Sequence, residues 1–499
     1  MVSIDNSYYW VIDYIHQFHI QMAFFRAGYN FKKTTFLLFF LGVWLSCRQE
    51  PSVKSDYWSE MSKIIDTIVV PDFPDSTFNI MDYGAVSDGV FDNSHVFERA
   101  IKDCTDKGGG VVLVPEGSYL TGPIHLQDNV NLHLKKGSEI LFIRDFDAYE
   151  PLVHTSFEGT ELMNFSPLVY AYKKKNIAIT GEGILNGQAG NDFWWPWKGS
   201  PDYGWEEGEP NQLASLTRLK EEMSEKGVRV SDRVFGKGHY LRPSFIEPFE
   251  CENVLIQGIK IINAPFWVIH PIKSTHVTVD GVTVESHGPN NDGCDPEYSK
   301  NVIIKNSTFN TGDDCIAIKS GRNEDGRRVG IKSENIIVQN CKMIDGHGGV
   351  VIGSEISAGV KNVFVENCVM DSPNLDRAIR IKTNSKRGGT VENVYVRNLE
   401  VGQVKEAVLK INLFYGIYGV QEGNFIPKVD NVVLENVNVK NGGKYGILAQ
   451  GYKEKPISNI TFKDVTIAKV DSVYALENVV GLNFINSRIN GKQITSPVE

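Results

Sequence analysis

From about residue 176 to the C-terminus, hydrophobic residues recur in a nine-residue unit whose second, fourth and ninth positions are apolar. The unit starts at Asn176, Asn253, His276, Asn301, Asn335, Asn362, Asn393, Asn431, Asn459 and Gly481. Val302, Ile304 and Phe309 fill the three positions in one copy, and Val363, Val365 and Met370 in another. Alternating apolar and polar side chains mark a strand, and the break before the ninth position marks a bend. The sixth position is Gly, Asn or Asp in every copy: Gly181, Gly258, Gly281, Asn306, Asn340, Asn367, Asn398, Asn436, Asp464 and Asn486. These residues tolerate a left-handed backbone, so each unit reads as strand, tight corner, strand.

From Asn253 onward the units recur every 22 to 38 residues, the length of a solenoid coil with variable loops, and no helical or heptad period competes. The pattern predicts an all-β fold, a single-stranded right-handed parallel β-helix whose successive coils stack equivalent positions about 4.8 Å apart. Phe91 to Cys104 carries Val96, Phe97, Ala100 and Ile101 at helical spacing, which predicts a short N-terminal helix capping the solenoid. The β-helix domain is expected to span residues 77–499. An insert at about 187–245 interrupts the repeat with Trp194, Trp195, Trp197 and Trp205 and a charged, helical piece from Leu213 to Lys226. Its indole rings have two uses to choose between, stacking on sugar faces or packing the insert onto the solenoid.

The N-terminal segment reads as an address rather than as structure. Arg26, Lys32 and Lys33 precede an apolar run from Phe36 to Leu45, long enough for a signal-peptide core and too short to span a bilayer. Met22 is a plausible true start, which would place residues 1–21 upstream of the protein. The sequence Trp44-Leu45-Ser46-Cys47 resembles a bacterial lipoprotein processing site, with Trp44 where Leu is usual. We therefore expect residues 1–47 to be a signal segment with Cys47 as lipid acceptor, and the polar stretch 48–76 to be a tether. Such a protein is exported, to the periplasm or to the outer membrane of a diderm bacterium. The lipid would be its one membrane contact.

A 499-residue chain with 41% apolar residues is long enough to bury a large core. Its net charge of −10 argues against a general nucleic-acid or anionic-membrane binder, so an anionic substrate must be held by a local cluster of cations. The seven cysteines are too sparse for a disulfide scaffold and lack zinc-type spacing. Cys341 and Cys368 occupy the same place in consecutive units, which fits interior stacking.

Four polar motifs follow consecutive units. Asn290-Asn291-Asp292, with Asp295, follows the unit at His276; Gly312-Asp313-Asp314 follows that at Asn301; Gly346-His347-Gly348 follows that at Asn335; and Arg380-Ile381-Lys382 follows that at Asn362. Each lies one strand beyond the same corner, so coil geometry stacks all four on one face. Taken singly, such residues are ordinary solvated turn formers. Crowded acids repel one another, and proteins keep such clusters mainly where chemistry needs them. Asp292 and Asp313, one coil apart, suggest an acid and base flanking a glycosidic bond, with the roughly 6.5–9.5 Å between carboxyl groups that inversion requires. Crowding would raise one pKa and keep the acid protonated. Arg380 and Lys382, at i and i+2 on a strand, point the same way and suit an anionic sugar, the other reading being that they merely neutralise the acids. The nearby Arg327, Arg328, Lys386 and Arg387 read as a solvated edge, although they would also suit the groove of a polyanion.

These motifs, in this order, resemble the polygalacturonase family, glycoside hydrolase family 28. Asp82-Tyr83-Gly84-Ala85, Gly108-Gly109-Gly110 and Pro265-Phe266-Trp267 extend the resemblance over about residues 78–490. Asn291 stands where the family commonly has Thr. The resemblance implies Asp313 as general acid, Asp292 and Asp314 activating the water, His347 tuning the cluster, and Arg380 and Lys382 binding the galacturonate carboxylate with Asn290 beside them. It also implies a tyrosine in the next coil, for which Tyr415 is the candidate ahead of Tyr418. No metal or cofactor is implied, and a monomer acting on pectic polysaccharide or oligogalacturonides is expected. The alternatives are a rhamnogalacturonan or xylogalacturonan hydrolase, a pectate lyase of the same fold, and a non-catalytic carbohydrate-binding β-helix.

Overall fold

The backbone turns left-handed at two places in every repeat. In this computed structural model, which describes residues 56–416 and 422–495, all ten sixth positions have φ between 47° and 112°. The first positions do the same: Asn176, Asn253, His276 and their equivalents through Gly481 have φ between 52° and 68°. Each coil therefore has a second sharp bend, ahead of the first strand, that the apolar pattern did not reveal. Asparagine accepts this conformation and also bonds its neighbours along the stack. Asn253, Asn335, Asn362, Asn393 and Asn431 each donate a side-chain hydrogen bond to the Asn one coil earlier, at 2.8–3.1 Å. A second ladder runs along the corners, with Asn340 donating to Asn306 and Asn436 to Asn398.

The strands form three parallel sheets that wrap one core. A coil runs through a first sheet, as in Lys300–Lys305, then after the corner through a second, Thr308–Thr311, and then through a third, Ile316–Ile318. Register is kept from coil to coil: Val302 pairs with Val277 and Ile336, and Phe309 with Val284 and Met343. The third sheet runs as six strands from Ile316–Ile318 to Ser472–Glu477. It continues toward the N-terminus through isolated bridges at Cys294, Ile269 and Ile246. Val302, Ile304, Phe309, Ile316 and Ile318 are fully buried in the core. Cys341 and Cys368 are free and buried, as their shared position predicts.

The capping helix spans Ser94–Asp106 and buries Val96, Phe97, Ala100, Ile101 and Cys104. It begins three residues later than expected because Asp88–Asp92 is a strand and the fully buried Asn93 ties the turn down through its side chain. In the insert the helix Leu213–Thr217 continues as a π-helical stretch, Arg218–Ser224.

The expected signal segment and Cys47 lie outside the described residues, as does Tyr418. The tether expected over 48–76 needs correction. Tyr57–Thr67 is a helix that buries Trp58, Met61 and Ile64, an apolar stripe at three-residue spacing that a polar average conceals. Trp58 lies against Phe364 and Tyr395 on the outside of the first sheet, with the Arg397 guanidinium 4.0 Å above its ring and its indole N–H donating to Glu435. Farther along, the Val69 N–H reaches His276. Trp58→Ala is expected to release this helix without melting the solenoid, since Trp58 packs on Phe364 and Tyr395 at the outer face of the first sheet and not in the core. Limited trypsin digestion should then cut first at Lys63, and unchanged resistance there would contradict a clamp at Trp58.

Candidate active site

Three of the four motifs sit in the turns that lead from the second sheet into the third, and Arg380-Ile381-Lys382 lies on a third-sheet strand. Gly312-Asp313-Asp314 joins Thr308–Thr311 to Ile316–Ile318, and Gly346-His347-Gly348 joins Lys342–Met343 to Val350–Gly353. The turns are close-packed. A Cβ on Gly312 would meet the Gly288 carbonyl oxygen at 2.6 Å, and one on Gly346, at φ +150°, would meet that of Asp313 at 2.6 Å. Along the third sheet, Ile316, Val350 and Ile379 face the core. The alternate positions face outward, with Ala317, Val351 and Arg380 in register and Glu297 beside Lys319.

This packing gathers every motif into one cavity of about 430 Å³, lined among others by Asn290, Asp292, Asp313, His347, Arg380, Lys382 and Tyr415. Asp292, Asp313 and Asp314 each offer a carboxylate oxygen within 4.8 Å of the other two. The three carboxyls stand on two neighbouring turns, one rung apart. Asp314 is fully buried, with Lys382 Nζ at 2.7 Å and Arg380 Nη1 at 3.6 Å. Tyr415 lies beside both cations, its ring 5.5 Å from the Arg380 guanidinium and 5.2 Å from Lys382 Nζ.

Protons are distributed unevenly in the cluster. Burial, together with the charges of Asp313 and Asp314, pushes the Asp292 carboxyl up to about 7 against the pull of Lys319. Burial and the neighbouring Asp292 also push up Asp295, which is fully buried. Burial acts on Asp313 as well, but there it is outweighed. The hydrogen bond to His347 Nδ1, at 2.9 Å, and the charges of His347, Lys382 and Lys319 hold Asp313 well below the usual carboxylate range. The same contact raises His347 to about 9. Proton affinity in the free protein is thus raised at the Asp292 and Asp295 pair and lowered at Asp313, the residue expected to be the acid.

Several residues escaped the sequence reading. Lys319 contacts Asp292, Asp295 and Glu355 at 3.4–3.7 Å and lies over the Trp267 ring. It was legible in principle, because Ile316-Ala317-Ile318-Lys319 places a lysine where Ile379-Arg380-Ile381-Lys382 does. Arg387 is not on a solvated edge. It is buried against Glu355 at 3.2 Å and lines the cavity, while Arg327 covers Phe425 and Lys386 pairs with Glu221. Arg242, fully buried, donates to the Pro265 and Pro289 carbonyls and to Asn290, fixing the loop before Asp292.

The insert packs with its tryptophans. Trp194 is fully buried, Trp195 donates to the Ala264 carbonyl and Trp197 lies 4.3 Å from Phe146. What the insert presents to the cavity is Lys198 and Tyr203. A hairpin, Val153–Phe157 with Thr160–Asn164, lies over the outward face of the third sheet on the same side. Thr155 and Ser156 donate to Glu247 and Glu297, which flank His270, and all three of those side chains are fully buried. The groove is therefore closed just before Asp292.

A right-handed parallel β-helix with an acid cluster set against carboxylate-binding cations is the architecture of a polysaccharide-cleaving enzyme. The chain belongs to glycosyl hydrolases family 28, the polygalacturonase family, whose profile matches residues 235–487 and so contains all four motifs. Residues 77–133 match a second profile, rhamnogalacturonase A/epimerase, pectate lyase-like. A probable polygalacturonase of Vitis vinifera is 26% identical over 404 residues, covering 78% of this chain and 74% of that protein. The crystal structure of a hyperthermoactive exopolygalacturonase from Thermotoga maritima is 46% identical, with a TM-score of 0.85 over 88% of this chain and 97% of that one. The Yersinia enterocolitica family 28 exopolygalacturonase, 22% identical with a TM-score of 0.61 over 84% of this chain and 80% of that one, shares the fold.

Proposed function

We propose that this polygalacturonase releases galacturonate units from chain ends by single displacement, with Asp313 as general acid and Asp292 and Asp314 activating the water. The observation that carries this reading is the acid cluster lying against Arg380 and Lys382 in a cavity closed on one side by the hairpin and insert. A chain can enter such a cavity only by its end, whereas an open groove would bind it anywhere along its length.

Burial supports a water nucleophile. Asp314 is pinned between Lys382 and Arg380, and Asp292 is 3% exposed and holds its proton. Neither is presented for direct attack on a sugar carbon, although both can orient a water. Asp313 is more exposed and faces the cavity. Its low proton affinity rests partly on Lys382. A galacturonate carboxylate placed on Arg380 and Lys382 would neutralise that field and raise Asp313, so that the proton passes from Asp292 to Asp313; Asp313 then donates it to the leaving oxygen, and the ionised Asp292 accepts the proton of the attacking water. Substrate binding and activation of the acid are then one event.

The test is digestion of polygalacturonate and rhamnogalacturonan side by side with chelator present. Expected from the first polymer are saturated monomers from the earliest time points, unaffected by chelator, with the anomeric configuration inverted in the first NMR spectra. Random oligomers would contradict end-wise action, retained configuration would contradict the water mechanism, and cleavage of rhamnogalacturonan alone would move the substrate. Unsaturated products would contradict hydrolysis.

We further propose export with lipidation of Cys47, which rests on the sequence Trp44-Leu45-Ser46-Cys47 behind an apolar run. Incorporation of labelled fatty acid that Cys47→Ala abolishes is the expected result.

A further inference from the structure

We infer that Lys198 reads the carboxylate of the terminal sugar in the closed end of the cavity and so sets the preference for a free acid over an ester at that sugar. This rests on the polygalacturonase reading above and extends it from one carboxylate site to two. Lys198 ends the short turn Trp195–Lys198, whose backbone is held by the packed indoles of Trp194, Trp195 and Trp197. Its ammonium donates to the Asn290 side-chain oxygen at 3.1 Å. Asn290 is two residues before Asp292, on the flank of the acid cluster opposite Arg380 and Lys382.

The partners of the cavity's basic side chains single this lysine out. Lys319, Arg322, Arg377, Arg380, Lys382 and Arg387 each have a carboxylate oxygen within 4.0 Å. Lys198 has none among the described residues, and two of its three ammonium hydrogens have no acceptor there. Burial lowers its proton affinity, with the charge of Glu158 acting against that, the Arg242 guanidinium adding to it, and Asp313 and Asp292 opposing it more weakly. A cation at the closed end of the cavity with no carboxylate in direct contact is set up for an anionic ligand, and a sugar carboxylate is the anion this substrate brings. Sequence pattern alone placed no charge there, because the lysine arrives on an insert outside the repeat.

The experiment compares trigalacturonate with the same trisaccharide methyl-esterified on the residue that the enzyme releases, using wild type, Lys198→Met and Lys198→Arg. Wild type is expected to prefer the free acid by roughly tenfold or more in kcat/KM. Lys198→Met should lose about that factor on the free acid, mainly through KM, and keep its rate on the ester, so that the preference collapses. Lys198→Arg should retain most of it. An equal loss on both substrates would mean that Lys198 only steadies the Asn290 loop, and an unchanged preference would place the second carboxylate elsewhere. Either result overturns the inference while leaving the polygalacturonase reading intact. If wild type cleaves neither trisaccharide, that reading fails and the inference falls with it.

Discussion

Asp313→Asn lowers kcat on polygalacturonate by about 10²- to 10⁴-fold, the range expected when a general acid is removed, and leaves the melting temperature at pH 6 within a few degrees. The fold tolerates the change because the side-chain oxygen of Asn can still accept from the Asp314 N–H, as Asp313 does at 2.9 Å. What the amide cannot do is carry charge for His347. The ring now titrates near 9 because of the Asp313 hydrogen bond and charge, and in the variant it should fall back toward about 6.5. The sign for stability follows from that raised value. The contribution is fully present below about pH 6.5, where the ring is charged in both folded and unfolded chains, and is lost as pH rises through about 9. Wild type should therefore lose stability across that window and Asp313→Asn should not, so that a small deficit of the variant at pH 6, limited because the His347 side chain is 53% exposed, closes by pH 9.5. The ring titration is read by NMR and the stability by melts at pH 6 and pH 9.5. Turnover within tenfold of wild type would remove Asp313 from the role of acid, whatever the histidine does.

Lys382→Met has the largest expected effect on stability, roughly 3–5 kcal/mol, because it leaves one member of a buried ion pair behind. Asp314 is fully buried, and Lys382 is its near partner at 2.7 Å, while Arg380 stands off at 3.6 Å. Burial lowers the proton affinity of Lys382, but the charge of Asp314 outweighs it and holds the ammonium above its usual range. Removing the lysine makes the carboxylate costly to bury, and removing the carboxylate as well should relieve that cost. Accordingly, Asp314→Asn combined with Lys382→Met should recover most of the lost stability, and activity should stay abolished in both. Denaturant melts and kcat/KM on polygalacturonate separate the two effects. A double variant no more stable than the single one would show that Lys382 holds something other than Asp314.

The coil was legible from residue types because it rests on local physics. A strand shows its buried face every second residue, and a left-handed corner admits few side chains, so the sixth-position series from Gly181 to Asn486 marks every turn. The left-handed bends at the first positions were just as visible, as asparagines, and were missed because a polar residue ahead of a strand carries no apolar signal. The motifs from Asp292 to Lys382 could be placed on one face for the same reason, since a constant coil turns sequence order into spatial order.

Distance, proton and closure could not be read that way. How near the three carboxyls lie depends on turn packing at Gly312 and Gly346. Which of them holds the proton depends on His347 reaching Asp313 and on Lys319 arriving from the next strand. The closing wall comes from a hairpin and an insert that obey no repeat, and its residues Glu158, Lys198 and Tyr203 reach the cavity from loops far away in sequence. The repeat and the order of its motifs belong to the sequence, because hydrogen bonding and side-chain burial act within a coil or between neighbours. The electrostatics and the dead end of the groove belong to the tertiary structure, because charge and steric exclusion act through space between segments that no local pattern connects.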